Sequence, residues 1–328
     1  MKQLMSKPMA VIAIALSALM SASVSAQDSP RYPNRPIKLI VPFAPGGGLD
    51  YLGRLVAENL SVRLGQSVVV ENKLGAGGTV GADMVAKAAP DGHTLLIVSA
   101  SFSVASAVSK TPYDPVADFA HVIRVVDAPL IMVTSPAVPA TNLKEFVAYG
   151  KSNPSKLFYG SSGLGGISHL AGEDFKKSAG IAMSHVPYKG IGPANTAVVS
   201  NEVQLSFTDT GAVSPLITAG RVKALAVGGS GRLKALPNVP TVAEAGFPDL
   251  RLNIYYGLLA PRNTPQEIVN FLNREINAML KTPSVADTLA SRFATPIGGS
   301  PDDLRTVVKS EYDHWKKFIE TTGIKVTE

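Results

Sequence analysis

The sequence predicts an α/β protein built as two lobes, each a mostly parallel sheet flanked by helices. Three observations predict it. Short Val/Ile/Leu-rich runs alternate with helically spaced segments along most of the chain, the pattern of βα units. A glycine-rich turn from an apolar strand into a helix occurs twice, far apart. Residues 37–43 run into Ala44-Pro45-Gly46-Gly47-Gly48-Leu49-Asp50, and residues 156–159 into Gly160-Ser161-Ser162-Gly163-Leu164-Gly165-Gly166. The pattern also breaks and restarts near 136–141, as a second lobe would require.

Residues 37–43, 67–71, 94–99, 122–126 and 130–134 are short and apolar, and read as strands. Between them, 49–64 and 79–88 read as helices. In the first, Leu52, Leu55, Val56, Leu60 and Leu64 share one face, with Arg54, Glu58 and Arg63 elsewhere. After the restart come helix 142–152, strand 157–159, helix 168–178, strand 183–186, helix 192–200, strand 203–207, helix 213–219 and strand 222–227. A Gly/Pro/Asn-rich loop fills 228–248, and strand 252–259 follows. Two capped helices close the chain. Thr264-Pro265-Gln266-Glu267 and Ser300-Pro301-Asp302-Asp303 each supply an N-cap, a first-turn proline and an acidic N3 residue. The lobes are expected at 27–130 plus 255–328 and at 131–254, with crossings near 131 and 254.

The first 26 residues read as an export signal. Lys2 and Lys7 form a positive start, residues 9–20 are apolar but for Ser17, and Val24-Ser25-Ala26 offers small residues for cleavage after Ala26. The apolar run is shorter than the roughly 20 residues of a membrane span. Without cysteine there is neither a lipidation site nor a disulfide. An exported chain of this length buries enough surface to manage without them.

Formal net charge is +6, with Lys/Arg scattered rather than clustered, which argues against nucleic-acid binding and mildly favours an anionic small ligand. The histidines lack metal-ligand spacing and there is no thiolate, so neither metal nor cofactor is expected. Each glycine turn is either a tight strand–helix connection or an anion cradle, because a helix N-terminus offers unpaired N–H groups and a positive dipole end. Gly47 in particular is expected to need close ligand approach and a φ forbidden to other residues. Asp50, in the first helical turn, either complements the dipole and anchors the loop or accepts from a ligand. Ser161 and Ser162 at the second turn either donate to an anion or, with His169, form a nucleophile–base pair. The turn misses the G-x-S-x-G elbow because Leu164 stands in its last position. Tyr188 and Lys189 lie on a turn that is either surface or ligand wall.

Several stretches in order resemble the periplasmic receptors of tripartite tricarboxylate transporters, often called Bug receptors. They include Tyr32-Pro33-Asn34-Arg35-Pro36-Ile37, the first glycine turn with Val41-Pro42-Phe43, Val70-Glu71-Asn72-Lys73-Leu74-Gly75-Ala76-Gly77-Gly78 and Ala89-Pro90-Asp91-Gly92-His93-Thr94-Leu95. Further matches are His169-Leu170-Ala171-Gly172-Glu173, Val186-Pro187-Tyr188-Lys189-Gly190, residues 236–246 and Gly257-Leu258-Leu259-Ala260-Pro261. The resemblance implies a type II-like Venus-flytrap fold of the periplasmic-binding-protein kind, closing on a small carboxylate. One wall would hold Phe43, Ala44, Gly46, Gly47, Gly48 and Asp50. The other would hold Ser161, Ser162, Gly163 and His169, joined by Tyr188, Lys189 and Asp209.

Departures from the pattern are Gly166 where a serine is expected, Asn201, Gln204 and Thr208 within a usual Gly-x-Val-Asp-Leu-x-Phe-Asp run, and Tyr255 for a frequent tryptophan. The expected protein is a monomeric periplasmic receptor that hands a di- or tricarboxylate, amino acid or aromatic acid to a membrane permease. The rivals are a receptor that feeds a signalling system and a serine hydrolase using Ser162 and His169.

Overall fold

The computed structural model describes residues 32–154, 156–229 and 231–324. The expected export signal and its cleavage point after Ala26 lie outside them. Strand β1 (Ile37–Val41) is almost wholly buried, and its aliphatic run suits the centre of a parallel sheet. It lies between the parallel strands β2 (Val68–Asn72) and β3 (Thr94–Ser99). Helix α1 (Gly48–Leu64) connects β1 to β2 and buries Leu49, Leu52, Val56 and Leu60. Helix α2 (Thr79–Ala86) follows β2, and α3 (Ala100–Val108) follows β3.

Beyond β3 the pairing turns antiparallel. Strand β9 (Asn253–Pro261) lies between β3 and β4 (Phe119–Thr134), and β10 (Thr295–Gly298) pairs with the other side of β4. Past residue 129, β4 exchanges these neighbours for two strands of a second sheet, β7 (Leu205–Asp209) and β8 (Lys223–Val227). Outward from β7 run the parallel strands β5 (Phe158–Ser161) and β6 (Ser184–Pro187). Helices α4 (Leu143–Ser152), α5 (Ile167–Ala179), α6 (Ile191–Val199) and α7 (Thr210–Thr218) accompany this sheet. Helices α8 (Gln266–Leu280), α9 (Pro283–Ala290) and α10 (Pro301–Thr322) return to the first, where α8 packs on α1 and α10 on α3. The result is a mixed α/β fold with two lobes, one on each sheet.

Three expectations are corrected, and some elements were not expected. The sheets are mixed rather than mostly parallel, because β4 and β9, which link them, run antiparallel to each other and to their other neighbours. The strands expected at 122–126 and 130–134 are one strand. Pro129 donates nothing to a ladder, but it stands where β4 changes neighbours, so no ladder bond is lost. Thr264 does not cap α8. Its hydroxyl donates to the Pro261 carbonyl at 2.8 Å, and the helix starts without a side-chain cap. Helices α3 and α9 and strand β10 have no counterpart in the sequence reading. Helix α3 is Ala/Ser/Val-rich and mostly buried, so it shows no polar face to set a period.

The second sheet is cored by Tyr159, Phe146, Phe175 and Phe207, all fully buried, and the first by its aliphatic strands with Trp315 of α10. Burying one such side chain is worth about 1.5–3 kcal/mol. Where the sheets meet, Leu130 donates to the Leu252 carbonyl and Gly228 to the Leu130 carbonyl, each at 2.8 Å. A Cβ on Gly228 would lie 1.7 Å from the Leu252 oxygen, so only glycine admits this approach.

Candidate ligand-binding site

The first glycine turn carries the chain from β1 into α1. Gly46 takes φ +88°, a left-handed conformation that favours glycine. Gly47 is the N-cap residue with φ −80° and ψ 170°, and no side chain caps the helix. The expected forbidden φ therefore belongs to Gly46, not Gly47, whose backbone any residue can adopt. Without a capping side chain, the first-turn N–H groups of α1 keep their capacity for an outside acceptor.

Asp50 holds this turn from within. Its buried carboxylate accepts from Gly46 N at 3.0 Å, from Arg54 through both oxygens at 3.0 Å and from Asn72 Nδ2 at 2.9 Å. Burial pushes its pKa up, but the Arg54, Gly46 and Asn72 hydrogen bonds outweigh that and hold it below the ordinary carboxylate value. Its lone pairs are spent on the protein, so it acts as the loop anchor. Asn72 also donates to the Phe43 carbonyl at 2.9 Å, tying β2 to the same turn.

The second turn is likewise bonded inward. Ser161 is fully buried, with Oγ 2.6 Å from His185 Nε2 and 3.1 Å from the Gly163 carbonyl and amide. Ser162 bonds Ser168 through its amide at 2.9 Å and its hydroxyl at 3.0 Å. His169 accepts from Gly165 N at 3.1 Å and stacks on His185 with ring centroids 3.9 Å apart. Tyr159 stacks on His185 from β5 and donates to Glu173 at 2.8 Å. Burial, with the neighbouring His169 and Lys176, pulls His185 down to about 3, and burial also lowers His169, so both rings are neutral at pH 7. Among the described residues Ser162 and His169 share no hydrogen bond, so the nucleophile–base pair expected of a hydrolase is not formed.

A cavity of about 80 Å³ lies where the first turn meets the end of β7. Gly46, Gly47, Gly48, Tyr51, Asp209, Tyr256 and Arg292 line it, with apolar residues of α1, β4 and α9 behind them. A Cβ on Gly48 would stand 3.3 Å from the Tyr256 hydroxyl and 3.7 Å from Asp209 Oδ1, so glycine keeps this wall open. Asp209 caps α7 by accepting from Ala212 N at 2.7 Å. Burial raises its pKa, against the opposing Ala212 hydrogen bond and the Arg292 charge. Arg292 lies over the Tyr51 ring, 3.7 Å from its centroid.

Of the expected site residues, Gly46, Gly47, Gly48 and Asp209 meet at this cavity. Phe43, Ala44, Asp50, Ser161, Ser162, Gly163, His169, Tyr188 and Lys189 do not line it. Tyr188 donates to Glu202 at 2.9 Å, and Lys189 is exposed. Sequence reasoning missed Tyr51, Tyr256 and Arg292. Tyr256 hides in an apolar strand, and Arg292 follows a helix the pattern did not reveal. A roomier groove of about 660 Å³ runs along the start of β4 and α10, with His121, Arg262 and Arg305, but it contains neither glycine turn. Of these two, the smaller cavity is the stronger site, because it combines open helix-start amides with convergent polar side chains.

Two sheets bridged by antiparallel strands, with a glycine-turn helix start facing a cavity beside the crossing, define a two-lobed receptor of the periplasmic-binding-protein class. The chain belongs to the tripartite tricarboxylate transporter receptor family, whose sequence profile matches residues 52–324. It is 37% identical to Protein BugT of Bordetella pertussis over 326 residues, covering 98% of this chain and 99% of that one. Among solved structures it resembles R. palustris Rpa4515 with adipate, at 37% identity and TM-score 0.84, over 89% of this chain and 99% of that one. It also resembles MatC from Rhodopseudomonas palustris with bound malate, at 33% identity and TM-score 0.81, over 88% and 100% of the two chains.

Proposed function

We propose that this receptor captures a small carboxylate at the cavity beside Gly46–Gly48 and presents it to the membrane permease of its transporter. The observation that carries the reading is the uncapped start of α1 opening on a cavity that also holds Asp209, Tyr256 and Arg292. Family relatives solved with adipate and with malate support the ligand class. The second glycine turn forms the opposite wall. Its supporting observation is register: Gly160 pairs parallel with Ser206, so the turn after β5 leaves the sheet at the same edge as Asp209. Ser161, Ser162 and His169 set the shape of that wall from inside, Gly163 supplies its backbone, and Tyr188 and Lys189 stand at its rim.

The two lobes comprise 27–130 plus 255–328 and 131–254, a division supported by the exchange of β4 neighbours past residue 129. The receptor acts as a monomer in the periplasm after cleavage behind Ala26, and makes or breaks no bond in its ligand. Among the described residues no helix is long and apolar enough to cross a membrane. Native mass spectrometry of the purified protein, followed by calorimetry with mono-, di- and tricarboxylates, tests the reading. Saturable binding of a carboxylate is expected. Binding of neutral sugars or cations alone, or turnover of generic esters, would overturn it.

A further inference from the structure

The cavity beside the first glycine turn contains an unspent cation. Among the described residues, the Arg292 guanidinium makes no hydrogen bond or salt bridge; it rests on the Tyr51 ring, and its charge reaches Asp209 without pairing with it. Tyr51 belongs to the first turn of α1, so the cation is held next to the amides expected to take a carboxylate. The start of α7 lies close by, since a Cβ on Gly211, in its first turn, would be 3.5 Å from the Arg292 carbonyl. Arg292 therefore stands at the junction of both lobes, and it is the one cation among the described residues lining the cavity.

Stacking leaves the edge of a guanidinium free, and that edge carries N–H donors in a fork matched to a carboxylate. With Asp209 in the same cavity, a second anionic group on a ligand is repelled unless a cation answers it. We infer that Arg292, shelved on Tyr51, recognises a second carboxylate, so that the ligand is a dicarboxylate with one end at the Gly46–Gly48 amides and the other at Arg292. This inference rests on the carboxylate-receptor reading and narrows its ligand class.

Calorimetry on the full mature chain tests it with matched pairs: succinate against butyrate, glutarate against pentanoate, adipate against hexanoate. The unaltered protein should prefer the dicarboxylate of at least one pair by about tenfold or more, the scale of a charge-assisted pair. Arg292→Gln should bring that preference to within about threefold. Arg292→Lys should restore part of it, since lysine keeps the charge but loses the fork and the stack. Tyr51→Leu should lower the preference less than Arg292→Gln does, because it removes the shelf and leaves the charge. A preference that survives Arg292→Gln in a protein with an unchanged melting curve overturns the inference, as does equal binding of both members of every pair. In either case the carboxylate-receptor reading stands. If no carboxylate binds at all, both fail.

Discussion

Asp50 illustrates how one carboxylate can shape a turn from within. It fastens Gly46, α1 and β2 together through Arg54 and Asn72, and its side chain is only 4% exposed. Asp50→Asn keeps the shape but loses the charge, and should destabilise the fold by about 1–3 kcal/mol at pH 7. The pH dependence has a definite sign. The folded pKa lies below the ordinary 3.8, so the stabilisation is full above that value and is lost as pH falls through the folded pKa. Urea unfolding of both proteins from pH 8 to pH 3 should show a constant gap down to about pH 5 that shrinks below pH 4. A gap independent of pH would mean that the charge of Asp50 contributes nothing. Position 50 was legible as an anchor because an acidic residue in a first helical turn has a dipole reason to be there. The placing of Arg292 was not, since it stacks on Tyr51, far away in sequence, and no local pattern encodes that contact.

At the level of elements, the βα units were legible and the linking strands were not. Periodicity and glycine turns located α1, α5 and their strands within a few residues. Nothing local told the antiparallel β4 and β9 from parallel strands, because a strand buried on both faces reads as one apolar run in either direction. The same blindness hid α3. Capping was read correctly at α10, where Ser300 and Asp303 form a reciprocal box, and wrongly at α8. Ser300→Ala should cost about 1 kcal/mol and lower the thermal midpoint by roughly 2–4 °C. Thr264→Ala should cost less, since it removes a turn hydrogen bond rather than a cap; equal shifts in the two melts would contradict this assignment.

The β5–α5 turn rests on the His169–His185 stack, which gives it an acid limit. With His185 held near 3 against an ordinary 6.5, the unfolded chain binds the extra proton throughout that interval. Stability from this ring is therefore complete above pH 6.5 and declines as pH falls toward 3, by no more than about 1.4 kcal/mol per pH unit. His185→Phe preserves the stacking face, and should lose less stability between pH 7.5 and 5 than the unaltered protein, as measured by urea midpoints. Equal losses would place the acid sensitivity elsewhere, for example at His121 or His314, both held by burial near 4.

The whole molecule is organised around the place where β4 and β9 carry the chain between sheets. A rotation of the lobes would be concentrated there, where Pro129 and Asn253 face each other at the changeover and Gly228 lets the backbones touch. The cavity lies beside this changeover, with Gly46–Gly48 following a strand of one sheet and Asp209 ending a strand of the other. A ligand bound to one wall alone gives no closing bias, since only differential affinity for the two states shifts their balance. A carboxylate that engages the α1 amides and residues beside Asp209 together is bound better when the lobes approach, so its binding energy drives closure. Small-angle scattering should then show a smaller radius of gyration when a carboxylate that binds by calorimetry is added to saturation. Gly48→Val is the informative variant: its branched side chain would crowd the Tyr256 hydroxyl and Asp209, lowering affinity by about tenfold or more at a cost of about 1–3 kcal/mol in fold stability, which a melting curve checks. At a concentration that saturates only the unaltered protein, the variant should keep its unliganded profile. An unchanged profile for the unaltered protein, under conditions where calorimetry proves it full, would show that capture proceeds without closure.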